Sequence, residues 1–70
     1  MRYAVVIERA EGSYSAYVPD FPGCVATGSM IEKAEVQIRQ AIAFHLEGLR
    51  EDGIPVPRCA SHVEYVEVAV

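Results

Sequence analysis

Only one segment of this chain, between Ser29 and Gly53, has a helical period, and the sequence on both sides is patterned for strands and turns. Ile31, Ala34, Ile38, Ala41, Ile42, His45 and Leu49 recur at the spacing that lines up one face of a 3.6-residue helix. Both ends are marked. Ser29-Met30-Ile31-Glu32 reads as a capping box, in which the serine hydroxyl accepts from a first-turn N–H and the glutamate reaches back to the serine N–H. Gly53 is placed to end the helix, and Pro55 and Pro57 prevent its continuation. The expected helix runs from Met30 to about Asp52, with its apolar stripe against a sheet. Val36, Ala43 and Phe44 fall outside the stripe and are candidates for a second, partner-facing contact. A chain with one visible helix is not a helix-turn-helix protein.

The sheet is legible on both sides of that helix. Tyr3 to Glu8 is rich in β-branched and aromatic residues and reads as a strand. Val5, Val6 and Ile7 in succession put apolar side chains on both of its faces, which predicts that both are covered. Arg9 to Gly12 is a turn, and Tyr14 to Val18 returns as the second strand of a hairpin. Pro19-Asp20-Phe21-Pro22-Gly23 cannot continue a ladder and must be a shaped loop. Cys24 to Thr27 reads as a short third strand. Ile54 to Ser61 is a connection, and His62 to Val70 alternates as a last strand. The expected fold class is α+β in the order β-β-β-α-β: a three-stranded antiparallel sheet plus a C-terminal strand, with one long helix on one face. Residues 1–70 make a single domain on this reading.

Size and charge limit the function. Seventy residues lie near the lower bound for a core that is stable alone, so disulfides, a metal or a partner chain are ordinary supports for a domain of this size. Half of the residues are hydrophobic, which argues against disorder. No apolar run approaches the roughly 20 residues of a membrane span. Nothing marks the chain for export, which places it in the cytoplasm, where Cys24 and Cys59 would stay reduced. The net charge of −4 and the scattered basic residues do not suit direct nucleic-acid binding. They suit a basic protein partner, whose field would steer encounter.

No catalytic or metal constellation assembles from the sequence. Cys59-x-x-His62 has ligand-like spacing, but Cys24 and His45 would have to complete the tetrahedron from a strand and a helix. A buried cysteine and a core histidine are the simpler reading of that pair. The same two residues could form a thiolate pair, but no third group orients them. A metal-dependent nuclease needs several converging carboxylates, and Asp20 is the only acid in the loop region before the helix. Glu32, Glu35, Glu47, Glu51 and Asp52 belong mostly to a solvated helix face. No catalytic residue, metal or cofactor is expected.

The run Tyr14-Ser-Ala-Tyr-Val-Pro-Asp-Phe-Pro-Gly-Cys24, followed by a short strand ending in Thr27-Gly28, resembles the signature of the HicB family of bacterial antitoxins. The pattern continues through Glu32, Ala34 and Ile38 of the helix and closes with Leu49-Arg-Glu-Asp-Gly-Ile-Pro-Val-Pro57. The similarity covers about Tyr3 to Pro57. It implies a partial ribonuclease H-like domain lacking the full catalytic acids. It also implies binding to a HicA-type toxin, a small basic mRNA-cleaving protein whose catalytic histidine and RNA surface the antitoxin covers, and assembly into homodimers or higher homo-oligomers. Many family members carry a C-terminal DNA-binding part, and this chain, ending at Val70, reads as a short form without it. The expected function is therefore protein inhibition and not catalysis. Asp20 and Phe21 (facing outward from the loop) and Val36 and Phe44 (outside the helix stripe) are the candidate partner contacts. The alternatives are a stand-alone regulatory or ligand-sensing module, or a residual metal-dependent nuclease.

Overall fold

The computed structural model describes residues 1–70. Three antiparallel strands, β1 (Val6–Ala10), β2 (Ser13–Tyr17) and β3 (Val25–Gly28), precede one helix, α1 (Ile31–Glu51). The sheet order is β1-β2-β3, which leaves β1 and β3 as edges. Each element lies within a few residues of its expected position. Glu11 and Gly12 alone form the hairpin turn, with Ala10 facing Ser13 across it and Gly12 at φ 72°. Only glycine takes that angle without strain.

Register divides the sheet into two faces. Ile7, Ala16 and Ala26 lie in one row beneath the helix, while Val6, Tyr17 and Val25 form a row on the opposite side. The helix covers only the first face. Val25 and Tyr17 remain exposed and Val6 is half-buried, so the second face of the sheet is only partly covered within one chain. The core consists of Ala16, Val18, Phe21, Cys24, Ala34 and Ile38, with Val5, Ile7, Tyr14, Ile42, Leu46 and Leu49 packed around it. Burial of this layer against water is the main stabilising term.

The stripe on α1 is shorter than its pattern suggested. Ala34 and Ile38 are buried and Ala41, Ile42, Leu46 and Leu49 are half-buried, but Ile31 and His45 are exposed. Length explains this. A helix of 21 residues is about 31 Å long, and a five-residue strand about 17 Å, so α1 is longer than the sheet beneath it.

Both helix termini depart from or meet their signals for local reasons. The capping box does not form. The N-cap is Met30, extended at φ −139°, and no side chain caps the first turn. Gly28 sets this boundary: a Cβ there would stand 2.8 Å from the Lys33 carbonyl carbon and also against the Ala34 backbone. The chain enters the helix with β3 pressed on its first turn, one residue later than the serine pattern predicts. At the other end, Ile54 N–H donates to Leu49 O (2.9 Å) and Gly53 N–H to Arg50 O (3.2 Å), with Gly53 at φ 67°. This is a Schellman motif, as Gly53 suggested.

The last strand expected over His62 to Val70 is absent. No helix or strand follows α1, and every residue from Arg58 onward is exposed. A strand needs a ladder partner, and within one chain this segment has none. The molecule is correspondingly long, 49 × 26 × 16 Å, with a radius of gyration of 13.8 Å against about 11 Å for a compact chain of this size. No helix is long and apolar enough to cross a membrane.

The glycines provide a contrast that denaturant unfolding can read. Gly28→Ala forces backbone apart at the β3–α1 junction and should destabilise by about 1–3 kcal/mol. Gly48→Ala lies inside the helix with open space at its Cβ position, and should stabilise by about 0.5–1 kcal/mol. Equal midpoints for the two variants would contradict the packing described.

Candidate partner-binding surface

The Pro19–Gly23 loop folds back on itself through two successive turns. Phe21 N–H donates to Val18 O (3.0 Å) and Cys24 N–H to Phe21 O (3.1 Å). These turns send Phe21 inward, contrary to its expected outward position. Its ring is 6% exposed and sits beneath the overhanging end of α1. Tyr3 lies at 5.8 Å on one side and His45 at 5.8 Å, edge-on, on the other. Phe44 meets His45 edge-on at 5.8 Å and is itself 74% exposed. Four rings thus form a row from Tyr3 through the core to the surface, each contact in the tilted geometry that aromatic quadrupoles favour.

Asp20 points the other way from Phe21, but toward its own chain. Its Oδ2 accepts from Ala60 N–H (2.9 Å) and Ser61 N–H (2.7 Å), and its Oδ1 accepts from the Ser61 hydroxyl (2.7 Å). Both carboxylate oxygens are engaged, so Asp20 is a latch on the C-terminal segment and not a free contact. The Ser61 N–H and hydroxyl, with the Ala60 N–H adding to them, hold its carboxyl below the ordinary aspartate value against a smaller opposing effect of burial. Next to the latch, the Tyr3 hydroxyl donates to Pro57 O. Burial pushes the Tyr3 phenol up, with neighbouring Cys59 and Asp20 adding to the effect, which keeps it protonated as a donor. Tyr3, Ala60 and Ser61 were not among the sequence candidates. No local pattern connects residue 3 or 61 to residue 20; only the fold does.

The chemical candidates do not assemble. Cys24 is buried and its thiol is pushed up by burial, which disfavours the nucleophilic thiolate. Both cysteines are free. His62 pairs with Glu64 two residues away (2.9 Å). Nowhere do three His, Cys, Asp or Glu side chains gather in a way that could hold a metal ion. Val36 and Phe44, by contrast, are exposed on the outward half of α1. Phe44 and His45 border a shallow depression floored by Phe21, Pro22 and Leu49 and rimmed by Glu47 and Glu51. Of the four candidate contacts, two therefore lie on the outward helix surface, one is core and one is a latch.

Residues 3–69 match the family model described as HicB_like antitoxin of bacterial toxin-antitoxin system. The chain belongs to the HicB-like antitoxins. It is 35% identical over 66 residues to an uncharacterized 14.9 kDa protein from the rep-hol intergenic region of Haemophilus phage HP1, covering 94% of this chain and 50% of that one. A UPF0150 protein of Thermoplasma acidophilum is 36% identical over 59 residues, covering 83% of this chain and 86% of the relative. Among solved structures, a chain of a HicA3 and HicB3 toxin-antitoxin complex superposes with a TM-score of 0.69 at 29% identity, covering 79% of this chain and 64% of that one. This HicB-like chain thus spans half of the phage protein and about two thirds of the solved chain.

Three measurements test the site geometry of this HicB-like antitoxin. Phe21→Ala empties a core position and should cost about 3–5 kcal/mol in denaturant unfolding, whereas Phe44→Ala should stay within about 0.5 kcal/mol. The latch has a pH signature. A carboxyl held below its unfolded value of about 3.9 contributes fully above that pH, and the contribution is lost as pH falls through the lowered folded value. Carboxyl NMR should place the Asp20 midpoint below that of an unfolded aspartate, and Asp20→Ala should speed exchange of the Ala60 and Ser61 amides at neutral pH. An unchanged exchange rate would remove the latch.

Proposed function

We propose that this chain is the inhibitor half of a toxin–antitoxin pair, and that it neutralises a HicA-type mRNA-cleaving toxin by covering the toxin's active site. The likeness to a chain solved within a toxin-antitoxin complex carries this reading. The physical features agree with it. An acidic chain of net charge −4 complements a basic partner. The partial ribonuclease H-like form of the domain, completed by residues 62–70 as a last strand, belongs to the same reading. So do assembly into homodimers or higher homo-oligomers, a cytoplasmic location and no direct contact with nucleic acid.

The outward half of α1 is the toxin-facing surface in this proposal. Phe44 is a rigid aromatic anchor that the fold leaves bare, and it stands beside Glu47 and Glu51 one turn apart. An exposed aromatic ring next to carboxylates suits a basic surface that also offers an apolar pocket. Val36 extends the contact toward the start of the helix. Asp20 and Phe21 act behind this surface, Phe21 by supporting His45 and Phe44, and Asp20 by holding the C-terminal segment.

Calorimetric titration against any HicA-type protein encoded beside this chain tests the reading. Phe44→Ala should weaken binding by about 30-fold, the effect of a hot-spot residue of about 2 kcal/mol, and Val36→Lys should weaken it further. Binding should also fall with added salt, because the complementary charges lie at the rim. No binding of the unmodified chain to that neighbour would overturn the proposal.

A further inference from the structure

Several residues near the C-terminal end of α1 work against the helix, and they meet at one place on its surface. Gly48 lies inside the helix, where glycine is weaker than alanine. Neither packing nor backbone angle asks for it. A Cβ at Gly48 would meet no atom within 4 Å, and Gly48 is not among the glycines with positive φ. Glu47 and Glu51 stand at the helical spacing at which like charges repel, and near the negative end of the helix dipole. Neither carboxylate forms an ion pair; the pairs in the molecule are Arg39 with Glu35 and His62 with Glu64. Phe44, one turn before Gly48, is bare.

These residues line the depression floored by Phe21, Pro22 and Leu49, about 550 Å³ in volume. Phe44, Glu47, Gly48 and Glu51 fall on one face of the helix at spacings of three and four, so the glycine is a gap between a ring and two carboxylates. No lysine or arginine lines the depression. The seat is apolar on one side, negative at its rim and without a fixed cation of its own. A planar cation fits such a seat. A guanidinium stacks on an aromatic face and donates in a fork to carboxylates, whereas an ammonium is a compact, strongly hydrated point charge that gains less from the ring. A cation placed there also offsets the repulsion between Glu47 and Glu51 and complements the helix end.

We infer that the notch over Gly48 receives an arginine side chain of the basic partner, its guanidinium stacked on Phe44 and bonded to Glu47 and Glu51. The identity of the partner rests on the proposed function, which the inference deepens by naming the side chain that this surface recognises. Glycine at position 48 weakens the helix and leaves the arginine's place open, and a longer side chain there would fill it. The same account covers the two unpaired carboxylates and the bare ring, each of which is unfavourable or idle in the chain alone.

NMR titration of the 70-residue chain with N-acetyl-arginine amide, and with the lysine and citrulline amides beside it, tests the seat without a toxin. The arginine amide should give saturable shifts at Phe44, His45, Gly48 and Glu51. The lysine amide and the uncharged citrulline amide should bind these residues at least about threefold more weakly. Gly48→Met should abolish the arginine shifts while raising the midpoint of denaturant unfolding, a combination that a merely structural glycine would not give. Absence of saturable shifts, equal affinity for the three amides, or shifts that persist in Gly48→Met would each overturn the inference. Because no toxin is present, such a result removes the arginine seat alone, whereas the antitoxin reading stands or falls on the calorimetric titration.

Discussion

One helix laid on a three-stranded sheet can bury only a single layer of side chains between them, and the rest of this structure depends on that constraint. Six residues are buried, and the helix is longer than the sheet beneath it. A core this thin cannot cover the second face of the sheet or the β1 edge. It also cannot tolerate space at the β3–α1 junction, where Gly28 brings the two backbones together. The exposed apolar surface follows from the ratio of elements: one helix is too few for two sheet faces.

The overhang is put to use. Where α1 extends beyond β2 and β3, Phe21 rises from the loop to fill the gap, and Tyr3 and His45 close around it. The loop that delivers Phe21 inward turns Asp20 toward residues 60 and 61. Core packing and the direction of the C-terminal segment are thus set by adjacent residues of one loop. Phe44 lies at the outer end of the same row of rings, resting on His45, which in turn rests on the buried Phe21.

For a HicB-like antitoxin, this division of labour is physically sensible. Inhibition by coverage, as proposed, needs exposed surface and little else, and a small core with bare apolar groups supplies it. No cavity converging on reactive groups is required. The acidic balance gives such a surface a sign, and opposite charge on a partner would speed encounter without any particular contact.

Local pattern was enough for the three strands, the hairpin turn at Gly12, the single helix and its end at Gly53, because each rests on periodicity or on a backbone angle that few residues adopt. The Pro19–Gly23 loop was legible as a loop for the same reason, and its resemblance to a family was carried by residues that shape it. Other features depended on packing between elements, near or far in sequence. The Ser29 cap yielded to the close approach of Gly28 and Ala34. Phe21 turned inward because a slot waits between Tyr3 and His45, and His45 left the apolar stripe because the sheet stops short beneath it. Asp20 became a latch only because the fold brings residues 60 and 61 to it. The segment from His62 has the sequence of a strand and no strand structure, since alternation can specify a face but a ladder requires a neighbour. By itself the sequence determined which elements form and where they end, because those depend on residues a few positions apart; only the tertiary structure decided which side chains are core, which is latch and which are surface, because those depend on what lies across the gap.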